Sequence, residues 1–174
     1  MQFLPFLLTA AASVSTVSAH FSITYPYWRG NSFPTQWTYP CTSTLCSSLK
    51  ETFLAFVLTG GYLGGGVNQS VSDTNRTAWP LDGGSLVFMP THPNAQTFVN
   101  LGLGGNVTRL NITLVPTFNQ TGNGTFCFKK LTLPSGLDIQ EGTNASIQVI
   151  QLSENGGALY NVRRITRNFQ GGRE

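Results

Sequence analysis

The 174-residue chain contains two histidines, His20 and His92, and their positions set the chemistry open to it. His20 follows the run VSTVSA. If that run ends a leader cut after Ala19, His20 becomes the amino terminus. A free terminal amine and the Nδ1 of the same residue then bind one metal ion together and close a chelate ring. Nε2 of His92 supplies a third nitrogen in a T-shaped set. Imidazole nitrogens suit copper, and Cu(II) stands highest among first-row divalent ions at such sites. A terminal amine has a reference pKa of about 8, so yielding its proton to a metal near neutral pH costs little. Each histidine also has a plainer reading. His20 is then whatever follows a cleavage site, and His92 a loop imidazole that satisfies a backbone group. Pro93 restrains His92 towards an extended backbone, which suits a fixed ligand without requiring one.

The leader over 1–19, MQFLPFLLTAAASVSTVSA, has the anatomy of a secretory signal. An apolar run extends from Phe3 to Ala12, and small residues stand at Val17 and Ala19 before the cut. The run is too short to span a bilayer, so no transmembrane segment is expected in the mature chain. Sequons at Asn68, Asn75, Asn106, Asn111, Asn119, Asn123 and Asn144 agree with export and predict a sugar-covered surface.

Charged residues make up 10% of the chain, while Gly, Ser, Thr and Asn are abundant. This reads as one extracellular β domain, 20–161, large enough for a sizeable core. The net charge of +3 comes from Arg163, Arg164, Arg167 and Arg173, set against Glu174. The body before them is balanced, so a nucleic-acid partner is not expected. Cys41, Cys46 and Cys127 make an odd set, which flags a missing partner or a reactive thiol. No C-x-x-C spacing is present for a structural zinc.

The elements that must position the histidines are strands. An extended FSITYPYWRG follows His20, with Phe21, Tyr25, Tyr27 and Trp28 expected mainly in the core. The stretch 42–64 carries no sequon and holds a helix-like LKETFLAFVL, unlike its surroundings. GGVNQSVSDTNRTAWPLDGG is polar and turn-rich. Strand signals follow at SLVFMP, QTFVNLGL, RLNITLV, TFCFKKLTL and ASIQVIQL, with a last one from Ala158, separated by Gly, Asn and Pro. His92 falls between two of them. Short runs with partial alternation predict an all-β, antiparallel sandwich of immunoglobulin or fibronectin type. In ASIQVIQL, Ile147, Val149 and Gln151 share one face and Ser146, Gln148 and Ile150 the other.

HFSITYPYWRG, the PC followed later by GG, NRTAWPLDGGSLVFMPTHPNAQTFVNLGLG, FNQTGNGTFCF and GGALYN together resemble the fungal copper-acquisition factors related to lytic polysaccharide monooxygenases. The resemblance covers most of the chain after the leader. It implies a monooxygenase-like sandwich, one copper ion held by a histidine brace on His20 and His92, and as partner a copper transporter or a cell-wall glycan. It also implies a monomer that is secreted and held at the cell surface or wall, often by a lipid anchor, although no anchor signal is read in this chain. Family copper sites use an aspartate in a Cys-Ala-Asp-Ile-Thr stretch after Tyr-Asn. Here Tyr160 and Asn161 are followed by Val162, Arg163 and Arg164, so a cation stands where the carboxylate is expected, and it cannot coordinate Cu(II). The cysteine expected at 162 is missing too, which leaves Cys41 or Cys127 without a partner. Deleting 42–64 restores the family's PCGG. Both this insert and the atypical basic tail, 162–174, have the look of translated intron, which sequencing the transcript would decide.

The expected function is extracellular copper binding for acquisition or homeostasis, without catalysis. The alternatives are a copper-dependent polysaccharide monooxygenase, marked by oxidised oligosaccharides, and a metal-independent wall module, marked by indifference to loss of His20 and His92. Hydrolysis has no support: neither an acidic pair nor a G-x-S-x-G motif can be assigned.

Overall fold

A computed structural model describes residues 20–27, 76–105, 107, 109–154 and 157–168. Trp28, Cys41, Cys46, the 42–64 stretch and the sequons at Asn68, Asn75 and Asn106 lie outside them. Eight strands follow in order: β1 (Phe21–Tyr25), β2 (Thr77–Pro80), β3 (Gly84–Pro90), β4 (Asn94–Leu103), β5 (Ile112–Thr121), β6 (Phe126–Leu131), β7 (Asn144–Ser153) and β8 (Ala158–Asn168). They form a three-stranded sheet, β1-β3-β6, and a five-stranded sheet, β2-β8-β7-β4-β5. The fold is all-β, in keeping with a monooxygenase-like immunoglobulin or fibronectin-type sandwich. Among the described residues no helix is long and apolar enough to cross a membrane.

Alternation builds the core. In β3, Leu86 and Phe88 are buried and Met89 is exposed; in β1, Phe21 and Ile23 are buried around a half-buried Ser22. These side chains join Val99 and Leu101 of β4 and Ala145, Ile147 and Val149 of β7 in one cluster. The Phe88 ring lies 5.3 Å from that of Phe126, nearly parallel, and 6.4 Å from that of Phe21, edge-on. Each such fully buried side chain contributes about 1.5–3 kcal/mol. A net hydrogen bond contributes about 1 kcal/mol, so burial holds these strands more than their ladders do.

The strands depart from the sequence expectation in informative places. β2 was expected as turn, being four residues that end in Pro80. It pairs with β8 in parallel, Thr77 opposite Ile165, so the fold is not wholly antiparallel. Trp79 of β2 is fully buried, and its Nε1 donates to the Ser85 carbonyl at 3.0 Å. A Cβ on Gly84 would stand 2.4 Å from that indole, so only glycine fits beside it. β5 does not stop at Val115 but passes Pro116 and reaches Thr121. Its ladder to β4 slips at Leu114 and again at Pro116–Thr117, and a proline is tolerated at a bulge of an edge strand because no ladder donor is needed there. In β7 all residues from Ala145 to Gln151 are buried, so its imperfect alternation is that of a central strand covered on both faces. β8 crosses position 162, where the composition changes, and runs on as strand to Asn168.

Candidate metal centre

The antiparallel pairing of β1 with β3 sets Phe21 opposite Pro90, so the next pair outward is His20 with Thr91. The Thr91 amide donates to the His20 carbonyl at 2.8 Å. Thr91 Oγ1 accepts from the His20 main-chain nitrogen at 3.0 Å and donates to the His20 carbonyl at 2.8 Å. One threonine thus fixes both polar groups of the His20 backbone. His92 is the following residue, on the short link that carries the chain from β3 in one sheet to β4 in the other. Two residues 72 positions apart are neighbours through one register.

His92 is 6% exposed. Its Nδ1 and Nε2 are both buried and form no hydrogen bond among the described residues. Buried polar atoms are rarely left so; a neutral imidazole has one lone-pair nitrogen, which fits a group that accepts lone pairs, and one N–H, which needs an acceptor. Burial pushes the imidazole pKa below the usual histidine range; the His20 main chain opposes this and the His20 charge adds to it. A neutral imidazole is the metal-binding form.

The backbone of His92 is held from the other side. Gln120 of β5, 1% exposed, donates through Nε2 to the His92 carbonyl and to the Gly122 carbonyl, each at 3.1 Å. Its Oε1 accepts from Gln151 Nε2 at 2.8 Å, and Gln151 also donates to Thr97 Oγ1 at 3.1 Å. The Gly122 amide donates to the Pro93 carbonyl. Gly122 has φ of +87°, a conformation open to glycine at little cost. None of these amides stood out in the sequence, because a buried Gln in a polar strand looks like a surface Gln.

β1 has a backbone partner on one side, β3. Its other side is strapped by side chains of β8. Asn161 Nδ2 donates to the Phe21 carbonyl at 3.4 Å, and Arg163 Nη2 to the Ile23 carbonyl at 2.7 Å. Arg163 Nη1 donates to Asn161 Oδ1 at 2.7 Å and to the Val162 carbonyl at 3.1 Å. Arg163 is 2% exposed, and burial pushes its pKa down to about 10, so it remains a cation at neutral pH. Arg164, where the resemblance expects the aspartate, is also 2% exposed and lies opposite Ser146 in the β7–β8 register. The residue that reaches β1 is its neighbour. No group of three or more His, Cys, Asp or Glu gathers for a metal among the described residues.

The aromatic residues after His20 divide. Phe21 is buried, Tyr25 half-buried and Tyr27 70% exposed. The two tyrosine rings meet edge-on at 5.4 Å, and burial together with Tyr27 raises the Tyr25 pKa. Cys127 is exposed on β6 with a free thiol.

A family model described as copper acquisition factor BIM1-like matches residues 18–170. The chain belongs to that family. This BIM1-like chain is 35% identical over 176 residues to a lytic polysaccharide monooxygenase-like protein of Emericella nidulans, across 93% of its own length and 71% of that protein. It is 35% identical over 182 residues to the lytic polysaccharide monooxygenase-like protein ham-7 of Neurospora crassa, across 91% and 68%. The match runs on both sides of the histidine pair, so it includes β1, β3 and β8 alike.

Proposed function

We propose that this BIM1-like chain captures extracellular copper, one Cu(II) ion, and holds it for uptake or buffering at a fungal cell surface. The ligands are the terminal amine and Nδ1 of His20, once cut, and an imidazole nitrogen of His92. The observation that carries this reading is the buried His92 ring, its nitrogens without a hydrogen bond among the described residues, beside the residue that the cut turns into a terminus. Family membership supports copper as the cargo, and acquisition rather than catalysis as its use. With no carboxylate gathered at the histidines among the described residues, the set is nitrogen-based and suits an imidazole-preferring ion. A copper transporter would receive the ion, or a wall glycan would retain the protein near it.

The test is copper titration of the secreted protein, with its terminus set by mass spectrometry and His20→Ala and His92→Ala as controls. One-to-one binding that both substitutions abolish is the expected result. A folded protein starting at His20 with no specific copper binding overturns the reading and leaves a metal-independent wall module. The Tyr25–Tyr27 pair favours a second reading, a polysaccharide monooxygenase with an aromatic contact beside the terminus. Oxidised oligosaccharides formed from a glycan with copper and reductant would establish it.

A further inference from the structure

An open sheet edge invites pairing with another chain, and proteins guard such edges with short strands, charges, prolines or covers. The described edges here are guarded unequally. β2 has four residues. β6 carries Lys129 and Lys130. β1 is strapped by β8 side chains. β5, the outermost strand of the larger sheet, has ten residues, ITLVPTFNQT, without one charge. Its centre is blunted by exposed Pro116, which lies in one register slip, with a second slip at Leu114. That leaves two extended halves, 112–115 and 117–121, each with ladder groups facing outward.

The sequons fall on these halves. Asn111 immediately precedes the first, Asn119 lies within the second, and Asn123 stands two residues beyond its end; all three are exposed. Asn119 also lines a groove of about 490 Å³ with Gln96, Leu152 and Glu154, in which Leu152 is 39% exposed. An apolar sugar face has a seat there. The contrast is Asn144, on internal strand β7, which is half-buried and accepts from Thr166 Oγ1 at 3.1 Å.

We propose that N-linked oligosaccharides on Asn111, Asn119 and Asn123 are the guard of the β5 edge, keeping the chain monomeric by blocking strand addition. At each site the amide nitrogen attacks the anomeric carbon of a lipid-pyrophosphate-linked oligosaccharide. The N–C1 bond forms, the C1–O bond breaks, the lipid pyrophosphate leaves with the electron pair, and the amide proton passes to base. The inference rests on export but not on copper, so it stands or falls apart from the metal reading.

The test uses the full chain secreted from a glycosylating fungal host. Glycopeptide mass spectrometry gives occupancy, and size-exclusion chromatography gives the monomer fraction before and after an endoglycosidase trims the folded protein. Occupied sites and a several-fold loss of monomer after trimming are expected. The N111Q/N119Q/N123Q variant should lose monomer likewise, N68Q/N75Q should not, and adding Thr117→Lys to the triple variant should restore it by placing a charge on the edge. Unoccupied sites, a trimmed protein that stays monomeric, equal loss in N68Q/N75Q, or no rescue by Thr117→Lys would each overturn the proposal.

Discussion

At the scale of single residues, His92 is a basic group kept from water. Its folded pKa lies below the ordinary value, whereas in the unfolded chain it takes about 6.5. Above that pH both states are neutral and the contribution is constant. Below it the unfolded chain gains a proton that the folded one resists, so stability falls as the pH drops, until the folded value is reached. Metal-free protein should therefore melt at lower temperature at pH 5 than at pH 7, and His92→Gln should flatten that part of the profile, as read by circular dichroism. Gln120 acts on the same loop without titrating. Gln120→Leu removes the donor to the His92 and Gly122 carbonyls and the acceptor of Gln151. Leaving such groups unpaired costs about 1–3 kcal/mol, visible in urea melts, and copper affinity should weaken as the loop loosens. The sequence offered only two imidazoles as candidate ligands, His20 and His92, and the fold makes them neighbours through the β1–β3 register. Their amide support was not legible, because nothing local marks a glutamine as buried.

At the scale of elements, β1 is held by burial of Phe21 and Ile23, by its ladder to β3, and by Asn161 and Arg163. Replacing Arg163 by Met removes a buried cation that no carboxylate pairs with among the described residues, which favours folding. It also orphans the Ile23 carbonyl, which opposes folding. The two effects offset globally but not locally. Arg163→Met should shift the melting temperature little, while β1 amides exchange at least tenfold faster relative to those of β7 in a hydrogen-exchange measurement. By contrast, the Lys130–Asp82 pair has side chains 53% and 69% exposed, and Lys130→Ala should change stability by less than about 1 kcal/mol. Most strands could be read from alternation, as Leu86 and Phe88 show. β2 could not, because four residues ending in proline gain strand form only by pairing with β8. Nor could the role of Arg163, whose acceptor lies 140 positions away and leaves no trace beside it.

At the scale of the molecule, ligand binding and stability are linked. Copper that binds the folded, cut protein and not the unfolded chain raises stability by about 2.7 kcal/mol at a hundredfold excess over Kd. The melting temperature of protein starting at His20 should climb with copper, whereas protein extended by even one residue before His20 should respond far less; differential scanning calorimetry of the two forms makes the comparison. The all-β class was legible from composition and turn spacing. The parallel β2–β8 pair and the two-sheet order were not, since long-range pairing is written in no single stretch.

The β8 straps carry a consequence for the order of events during synthesis. The strand that follows His20 leaves the ribosome 140 residues before Asn161 and Arg163, which donate to it. A nascent chain can bury Phe21 against β3 and β4 well before it has anything to offer the carbonyls of Phe21 and Ile23. The segment after His20 therefore lacks two of its hydrogen bonds until β8 has been made. Chains that stop short of β8 should carry both histidines and hold the first less firmly, so that a well-formed histidine pair reports that β8 is in place.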